Sequence, residues 1–209
     1  MKIQTLPVGP IGTNCYLAID EATRRTVVLD PGDDAPVLVA HLRDGGLLPV
    51  AILVTHGHPD HISALADLSE AFPEAPIWFP AGDLPWAFGE ANAIAGLLPP
   101  PRRPATSPTP AADGLRLELA GAEWHCIATP GHTPGGVCWH LPDADALFTG
   151  DTLFAGSVGR TDLPGGDWSA LLDSLRHLAA FPGSPAVYPG HGPASTLDDE
   201  RRRNPYLNL

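Results

Sequence analysis

Thr55-His56-Gly57-His58-Pro59-Asp60-His61 is the stretch of the sequence that decides the fold and the chemistry. It follows an apolar run at residues 50–54, which predicts a strand buried on both faces, and it precedes a helical spacing of apolar residues at 62–68. In an extended segment, residues two apart project to the same side, so His56 and His58 can reach one metal ion. Asp60 and His61 lie in the first turn of the helix and diverge by about 100°. The stretch therefore predicts a strand-to-helix junction whose ligands are shared between two ions.

Three further polar motifs each come after a predicted strand. They are Gly131-His132-Thr133-Pro134-Gly135-Gly136, Thr149-Gly150-Asp151-Thr152 and Pro189-Gly190-His191-Gly192. Their glycines allow the backbone to approach a metal closely. Any one of these loops alone would be typical of an ordinary turn, but together with the His-x-His-x-Asp-His run they predict a binuclear metal site.

The composition argues against several classes of function. Acidic residues outnumber basic ones 24 to 12, and the net charge of −12 would repel a nucleic acid backbone. The N-terminus has no apolar signal core, and no apolar run approaches the roughly 18 residues that a membrane span needs. The three cysteines, Cys15, Cys126 and Cys138, are far apart and odd in number, which indicates reduced core residues. We expect a soluble cytoplasmic protein that binds neither nucleic acid nor a membrane.

Two halves that each begin with strands make up the chain, and we expect residues 1–209 to form a single domain. In the first half, strands are predicted at 2–6, 13–19, 26–30 and 50–54, and Asp33 or Asp34 can cap a helix that ends at Gly45. A proline-rich segment at 96–112 is predicted to be a connection. In the second half, strands are predicted at 115–119, 123–128, 137–141, 146–149 and 186–188, with a helix beginning near Asp167. This pattern indicates an α+β protein with two stacked sheets and helices outside.

These motifs resemble those of the metallo-β-lactamase superfamily, and the resemblance covers the whole chain. It implies a four-layer αββα sandwich. It also implies two ligand sets, joined by a bridging Asp151: His56, His58 and His132 for the first metal, and Asp60, His61 and His191 for the second. Asp151 is expected to hold the water nucleophile, and Asp60 to orient it or accept its proton. The cofactors are expected to be two divalent ions, with zinc favoured over iron or manganese.

Within the superfamily, the chain is similar to the short glyoxalase II-like proteins. The similarity lies in residues 150–154, in the run Gly159-Arg160-Thr161-Asp162 with its continuation to Asp167, and in the ending at 200–207. It implies hydrolysis of a small acyl-thiol such as S-lactoylglutathione to a hydroxy acid and a thiol, through a hydroxide generated at the two ions. A thiol with a pKa of about 8.5 departs as thiolate, so no separate proton donor is required.

The thiol itself is left open by the sequence. Full-length glyoxalase II has a helical C-terminal domain that contacts glutathione, whereas a short tail with Arg201, Arg202 and Arg203 follows His191 here. Either these arginines take over the glutathione contacts, or the protein uses another thiol.

A persulfide dioxygenase is the nearest alternative, because that branch of the superfamily shares the Gly-Arg-Thr-Asp run. It would use His56, His132 and Asp151 to hold a single iron with open positions for O₂ and substrate. The continuation at residues 163–167 favours the hydrolases. A lactonase, a tRNA-processing nuclease and a non-enzymatic metal module are less favoured, the nuclease because of the acidic charge.

Several residues outside the ligand set have two interpretations. Asp30 can orient a ligand histidine or cap its own turn, and the sequence favours neither. Arg160 and Asp162 are favoured as a structural pair over Arg160 as a site for a substrate carboxylate. The remaining histidines are expected to be ordinary core or surface residues: His41, His125, His140 and His177.

Overall fold

The computed structural model describes residues 1–207, which form two six-stranded β-sheets packed face to face with helices on their outer surfaces. The first sheet comes from the first half of the chain and the second sheet from the second half. The layers follow the order helix, sheet, sheet, helix. The expected αββα sandwich of the α+β class is therefore confirmed.

The first sheet runs in sequence order across its six strands. These are β1 (Lys2–Val8), β2 (Thr13–Ile19), β3 (Arg25–Leu29), β4 (Leu48–Leu53), β5 (Ile77–Pro80) and β6 (Thr109–Ala111). The first three strands are antiparallel, and β3 to β6 are parallel. Three helices pack on the outer face: α1 (Ala35–Asp44), α2 (Pro59–Ile62) and α3 (Leu65–Ala71).

The second sheet has a crossover at one side. Its strands in sequence are β7 (Arg116–Leu119), β8 (Ala122–Ala128), β9 (Val137–Leu141), β10 (Ala146–Gly150), β13 (Ala186–Pro189) and β14 (Ser195–Thr196). A separate hairpin of β11 (Leu153–Phe154) and β12 (Ser157–Val158) lies between β10 and β13 in the sequence. The spatial order is β14-β13-β10-β9-β8-β7, with β13 parallel to β10. Helices α4 (Trp168–Ala179) and α5 (Leu197–Arg203) lie on this half. β8, β10 and β13 therefore point in one direction, and their carboxyl ends share an edge.

Strand β2 shows how the layers are held together. Its alternate residues face two different cores, because successive side chains of a strand project to opposite faces. Leu17 packs under the helices of the first half, and Tyr16 packs between the sheets. The core between the sheets also contains Trp124 and Trp139, both fully buried. Strands with two buried faces account for the continuous apolar runs in the sequence.

Three local predictions need correction. Residues 96–112 were expected to be a connection only, but they contain β6, and its Pro110 is tolerated because β6 is an edge strand. The helical spacing at 62–68 is divided between two short helices, α2 and α3. Asp34 occupies the first position before α1 with φ 53°, yet its side chain makes no cap and accepts the Gly9 N–H instead.

Two other local predictions, the cap of α4 and the unpaired cysteines, are confirmed. The Asp167 carboxylate caps α4 by accepting the Ala170 N–H at 3.0 Å. Cys15, Cys126 and Cys138 are buried free thiols. Within residues 1–207, no helix is long and apolar enough to cross a membrane.

Candidate metal centre

The predicted ligands come together at one edge of the sandwich. His56 and His58 follow β4, and Asp60 and His61 lie on α2, which begins at Pro59. In the second sheet the ligands follow β8, β10 and β13, whose carboxyl ends coincide: His132, Asp151 and His191. The two sheets are joined beside the site by a hydrogen bond from the Val137 N–H to the Thr55 carbonyl at 2.9 Å. The structure therefore brings the predicted residues together beside the ends of β4, β8, β10 and β13.

The first cluster consists of three histidines. His56, His58 and His132 each place a ring nitrogen within 4.8 Å of the other two. His58 Nδ1 and His132 Nε2 are 2.9 Å apart. Three imidazole nitrogens at these separations can hold one divalent ion.

The second cluster mixes carboxylate and imidazole. Asp60, His61 and His191 bring their ligand atoms within 4.8 Å of one another, with His191 Nε2 3.1 Å from Asp60 Oδ2. Asp151 lies between the clusters. Its Oδ1 is 3.3 Å from His61 Nε2, and its Oδ2 is 3.6 Å from the Nε2 atoms of both His132 and His191.

Unpartnered buried atoms supply a test of whether metal ions fit here. Within residues 1–207, His56 Nε2, His61 Nε2 and Asp151 Oδ1 are buried and make no hydrogen bond. The 3.3 Å separation of the latter two lacks hydrogen-bond alignment. Buried polar atoms without partners are costly, and a coordinated cation would satisfy all three. With its imidazole and carboxylate donors, the arrangement indicates a dinuclear metal site that suits zinc, iron or manganese.

In His56, His61 and His132, the ring nitrogen that points away from the clusters is fixed by a hydrogen bond. His132 Nδ1 donates to the Arg160 carbonyl at 2.7 Å, and His61 Nδ1 lies 3.0 Å from Asp30 Oδ2. Asp30 also accepts the Thr55 hydroxyl at 2.6 Å, and the Thr55 oxygen is 3.1 Å from His56 Nδ1. Protons on these Nδ1 atoms leave each Nε2 lone pair directed at the clusters. Asp30 thus orients one histidine of each cluster.

The charges of the site favour a cation. Burial lowers the pKa of His61, but Asp60 and Asp151 reverse this effect and hold it well above its ordinary value, so a metal ion that binds here must displace a proton from His61 Nε2. Burial raises the pKa of Asp60, but His61 and His191 outweigh it, so the net shift is downward. Burial and the neighbouring His132 lower the pKa of His58 to about 4. At neutral pH, His58 is therefore the neutral imidazole that ligation requires.

Strand β2 holds the second cluster through residues that the sequence analysis missed. The Thr13 hydroxyl donates to Asp60 Oδ2 at 3.1 Å. The Asn14 side chain donates to the carbonyls of Pro189 and Gly192 at 3.0 and 2.9 Å, and so fixes the loop around His191. Asp83, a buried aspartate between β5 and β6, was also missed. Their polar type inside apolar surroundings was the only available signal.

A close backbone approach occurs at Gly190. A Cβ atom there would lie 2.2 Å from Asp151 Oδ1 and 2.6 Å from His61 Cε1. The expectation that glycine lets the backbone approach the cluster is met at this position.

The predicted supporting residues have mainly structural contacts. Arg160 pairs with Asp162 in two hydrogen bonds, of 2.5 and 2.7 Å, with both side chains exposed. Arg201 donates to the Ala179, Phe181 and Gly183 carbonyls at the end of α4. Arg202 pairs with Asp199. The four other predicted histidines lie outside both clusters. Arg201 is thus engaged in holding the fold rather than a thiol.

Comparison with known proteins agrees with this geometry. The family model of the metallo-β-lactamase superfamily matches residues 8–191. The probable metallo-hydrolase YqgX of Bacillus subtilis is 35% identical over 100% of this chain and 98% of its own length. The hydroxyacylglutathione hydrolase GloC of Haemophilus influenzae is 33% identical over 100% of this chain and 99% of its own length.

Two solved structures are similar over nearly the whole chain. The B3 metallo-β-lactamase BLEG-1 superimposes with a TM-score of 0.91 at 34% identity, covering 100% of both chains. TTHA1623, in a di-iron-bound form, gives a TM-score of 0.86 at 40% identity, covering 97% of this chain and 99% of that one. The similarity therefore includes all the strands and loops that carry the two clusters.

Proposed function

Because the chain belongs to the metallo-β-lactamase superfamily of metal-dependent hydrolases, we propose that it hydrolyses thioesters of small thiols at a two-metal centre, in the manner of glyoxalase II. One observation carries the proposal. The paired His and Asp clusters occur in a chain that is similar over its full length to a hydroxyacylglutathione hydrolase.

The ligand assignment follows the two clusters. His56, His58 and His132 would hold the first ion, Asp60, His61 and His191 the second, and Asp151 would bridge them. Two divalent ions bound there supply a water of lowered pKa and polarise the thioester carbonyl. Zinc is our favoured metal, and the di-iron form of TTHA1623 makes iron the first alternative to measure.

Two carboxylates complete the chemistry in this proposal. Asp151 lies between the clusters and is placed to hold the nucleophile there. Asp60 is held by the Thr13 hydroxyl, and since its lowered pKa makes it a weak base, we propose that it orients the nucleophile rather than accepting its proton. The thiol leaves as thiolate, because its own pKa is about 8.5.

The substrate is proposed to be a free small molecule. The acidic net charge of −12 argues against nucleic acid, and the three free buried thiols are consistent with a reducing, cytoplasmic location. Among the described arginines of the tail, Arg201 is bound to backbone carbonyls, which weighs against all three arginines acting together on glutathione.

One experiment tests the proposal. We would measure bound metals by elemental analysis on the same sample that is assayed with S-lactoylglutathione, with S-lactoyl coenzyme A, and for sulfite formation from glutathione persulfide. We expect two ions per chain and thioester turnover that a chelator abolishes and zinc restores. The His191→Ala variant should lose an ion and activity. The control variant His177→Ala, which changes an exposed histidine outside the clusters, should keep both. One iron per chain, with O₂ consumption and no hydrolysis, would contradict the proposal and support the dioxygenase.

A β-lactam is a second candidate substrate, favoured by the full-length similarity to BLEG-1. A chromogenic cephalosporin added to the same assay would decide. If the protein hydrolyses the lactam and none of the thioesters, the proposed activity is that of a lactamase and not of a thioesterase. The proposed metal centre would be unaffected by this result.

A further inference from the structure

Asp83 is a buried carboxylate that belongs to neither cluster. It lies in the segment between β5 and β6 and is 0% exposed. Its Oδ2 accepts the Gly57 N–H at 2.8 Å and the Thr133 hydroxyl at 2.7 Å, and its Oδ1 accepts the Gly135 N–H at 2.7 Å. A buried carboxylate is not needed for packing, since an apolar side chain fills space without the cost of desolvating a charge.

The partners of Asp83 are the loops that carry the first cluster. Gly57 lies between His56 and His58, and Thr133 is next to His132. One carboxylate therefore ties together two loops that are far apart in the sequence and that supply all three histidines of the first cluster.

The same segment also fixes the other polar group of Gly57. The Asn92 side chain donates to the Gly57 carbonyl at 2.8 Å. The Gly57 N–H belongs to the His56–Gly57 peptide and the Gly57 carbonyl to the Gly57–His58 peptide, so each of the two peptides between the histidines is bonded to a side chain of one segment. Rotation of either peptide would break its hydrogen bond.

Close packing makes the connection rigid. A Cβ atom at Gly57 would lie 3.1 Å from Asp83 Cβ, and one at Gly135 would lie 2.5 Å from the Asp83 nitrogen. No side chain separates the carboxylate from either loop. Loss of the Asp83 hydrogen bonds would therefore act directly on the backbone that carries the histidines.

The second cluster is supported by other residues. Thr13 bonds to Asp60, Asn14 holds the loop of His191, and Asp30 bonds directly to His61. Within residues 1–207, Asp83 makes no hydrogen bond to that cluster, so a substitution at Asp83 should weaken metal binding at the first cluster more than at the second.

We propose that Asp83 is a positioning residue for the first half of the metal centre, acting through Gly57 and the Thr133 loop to hold His56, His58 and His132 at binding distance. This inference rests on the proposed function only in that the clusters bind metal, and it does not depend on the substrate.

The test compares Asp83→Asn with Glu200→Gln. Glu200 is also a buried carboxylate, 4% exposed, which accepts the Gly156 N–H and the Asn204 side chain, each at 2.8 Å, outside the clusters. Zinc would be titrated into the metal-free proteins against a chromophoric chelator, while ¹⁵N-histidine NMR reports which rings are bound. In Asp83→Asn, the affinity of the His56, His58 and His132 group should fall by about 10- to 100-fold, with the His61 and His191 signals unchanged. Glu200→Gln should leave both groups at wild-type affinity.

Equal weakening of both groups would show that Asp83 only stabilises the fold, and unchanged affinity would show that it does not act on the cluster; either result overturns the inference. If Asp83→Asn does not fold, Thr133→Val, which removes one donor, should weaken the first group, and Thr133→Ser, which keeps the hydroxyl, should restore it. If Thr133→Val and Thr133→Ser have equal zinc affinity at the first cluster, the inference is also refuted. Wild-type protein in which no histidine ring responds to zinc would instead refute the metal centre, and this result is distinct from all the others.

Discussion

The substitution Asp30→Asn tests how the centre keeps its histidines in the ligating form. Asp30 is 3% exposed, and its carboxylate accepts the Thr55 N–H at 2.7 Å, the Thr55 hydroxyl at 2.6 Å and His61 Nδ1 at 3.0 Å. Asparagine has the same shape and tolerates the φ of 48° found there, so the backbone should not change. The substitution replaces one acceptor oxygen with a donor.

Each orientation of the new amide creates a conflict. If the amide oxygen accepts the Thr55 N–H, the NH₂ group faces His61 Nδ1 and the Thr55 oxygen. His61 then accepts at Nδ1, and the Thr55 proton turns toward His56, so each ring carries its proton only on the Nε2 atom that should bind metal. In the flipped orientation both rings keep their ligating form, but the NH₂ group meets the Thr55 N–H in a buried contact between two donors.

The size of the effect follows from these alternatives. The metal-free variant adopts the first orientation without loss, whereas the metal-bound variant must leave a buried donor unpaired, at a cost of about 1–3 kcal/mol. Metal affinity should therefore fall by roughly 5- to 150-fold. The decrease should be seen for both ions, because Asp30 reaches His61 directly and His56 through Thr55.

Competition titration with zinc measures the affinity, and ¹⁵N-histidine NMR of the metal-free protein reports the protonated ring nitrogen. Asp20→Asn is the matched control, since Asp20 only accepts hydrogen bonds in an exposed turn. Affinity within twofold of wild type for both ions, with the Nδ1 protons in place, would refute the account of Asp30.

Two further predictions follow from the packing and capping. Gly190→Ala would place a Cβ 2.2 Å from Asp151 Oδ1, so metal affinity should fall by about 1–3 kcal/mol; a metal content equal to wild type after dialysis against a chelator would contradict this. Asp167→Ala removes the cap of α4 and should lower the free energy of unfolding by about 1 kcal/mol in urea, with unchanged metal content.

The members of the two clusters could be predicted from the sequence because metal binding constrains residue type. Few other roles require His56, His58 and His61 with Asp60 in seven residues, and strand patterns placed the remaining ligands at strand ends. The same patterns predicted the two sheets, since strands buried on both faces are continuously apolar. They missed β5, the two-residue strands β11, β12 and β14, and also β6, whose proline signals a connection and whose edge position makes it a strand.

The supporting residues were not predictable for a different physical reason. Asn14 bonds to carbonyls 175 and 178 positions away, and Asp83 bonds to amides 26 and 52 positions away. Their partners are backbone groups, which every residue carries, so nothing in the sequence near Gly57 or His191 identifies the side chain that will hold it. Asp30 was within reach of prediction only because a strand end placed it near the histidine run; of its two predicted roles the structure shows the contact with a ligand histidine and, within residues 1–207, no hydrogen bond from its side chain to its own turn. In this centre the ligand motif determines which atoms face the metal positions, while residues with no motif determine how firmly those atoms are held. Affinity and the difference between the two halves should therefore vary with Asp30, Asp83 and Asn14 even where every ligand is unchanged.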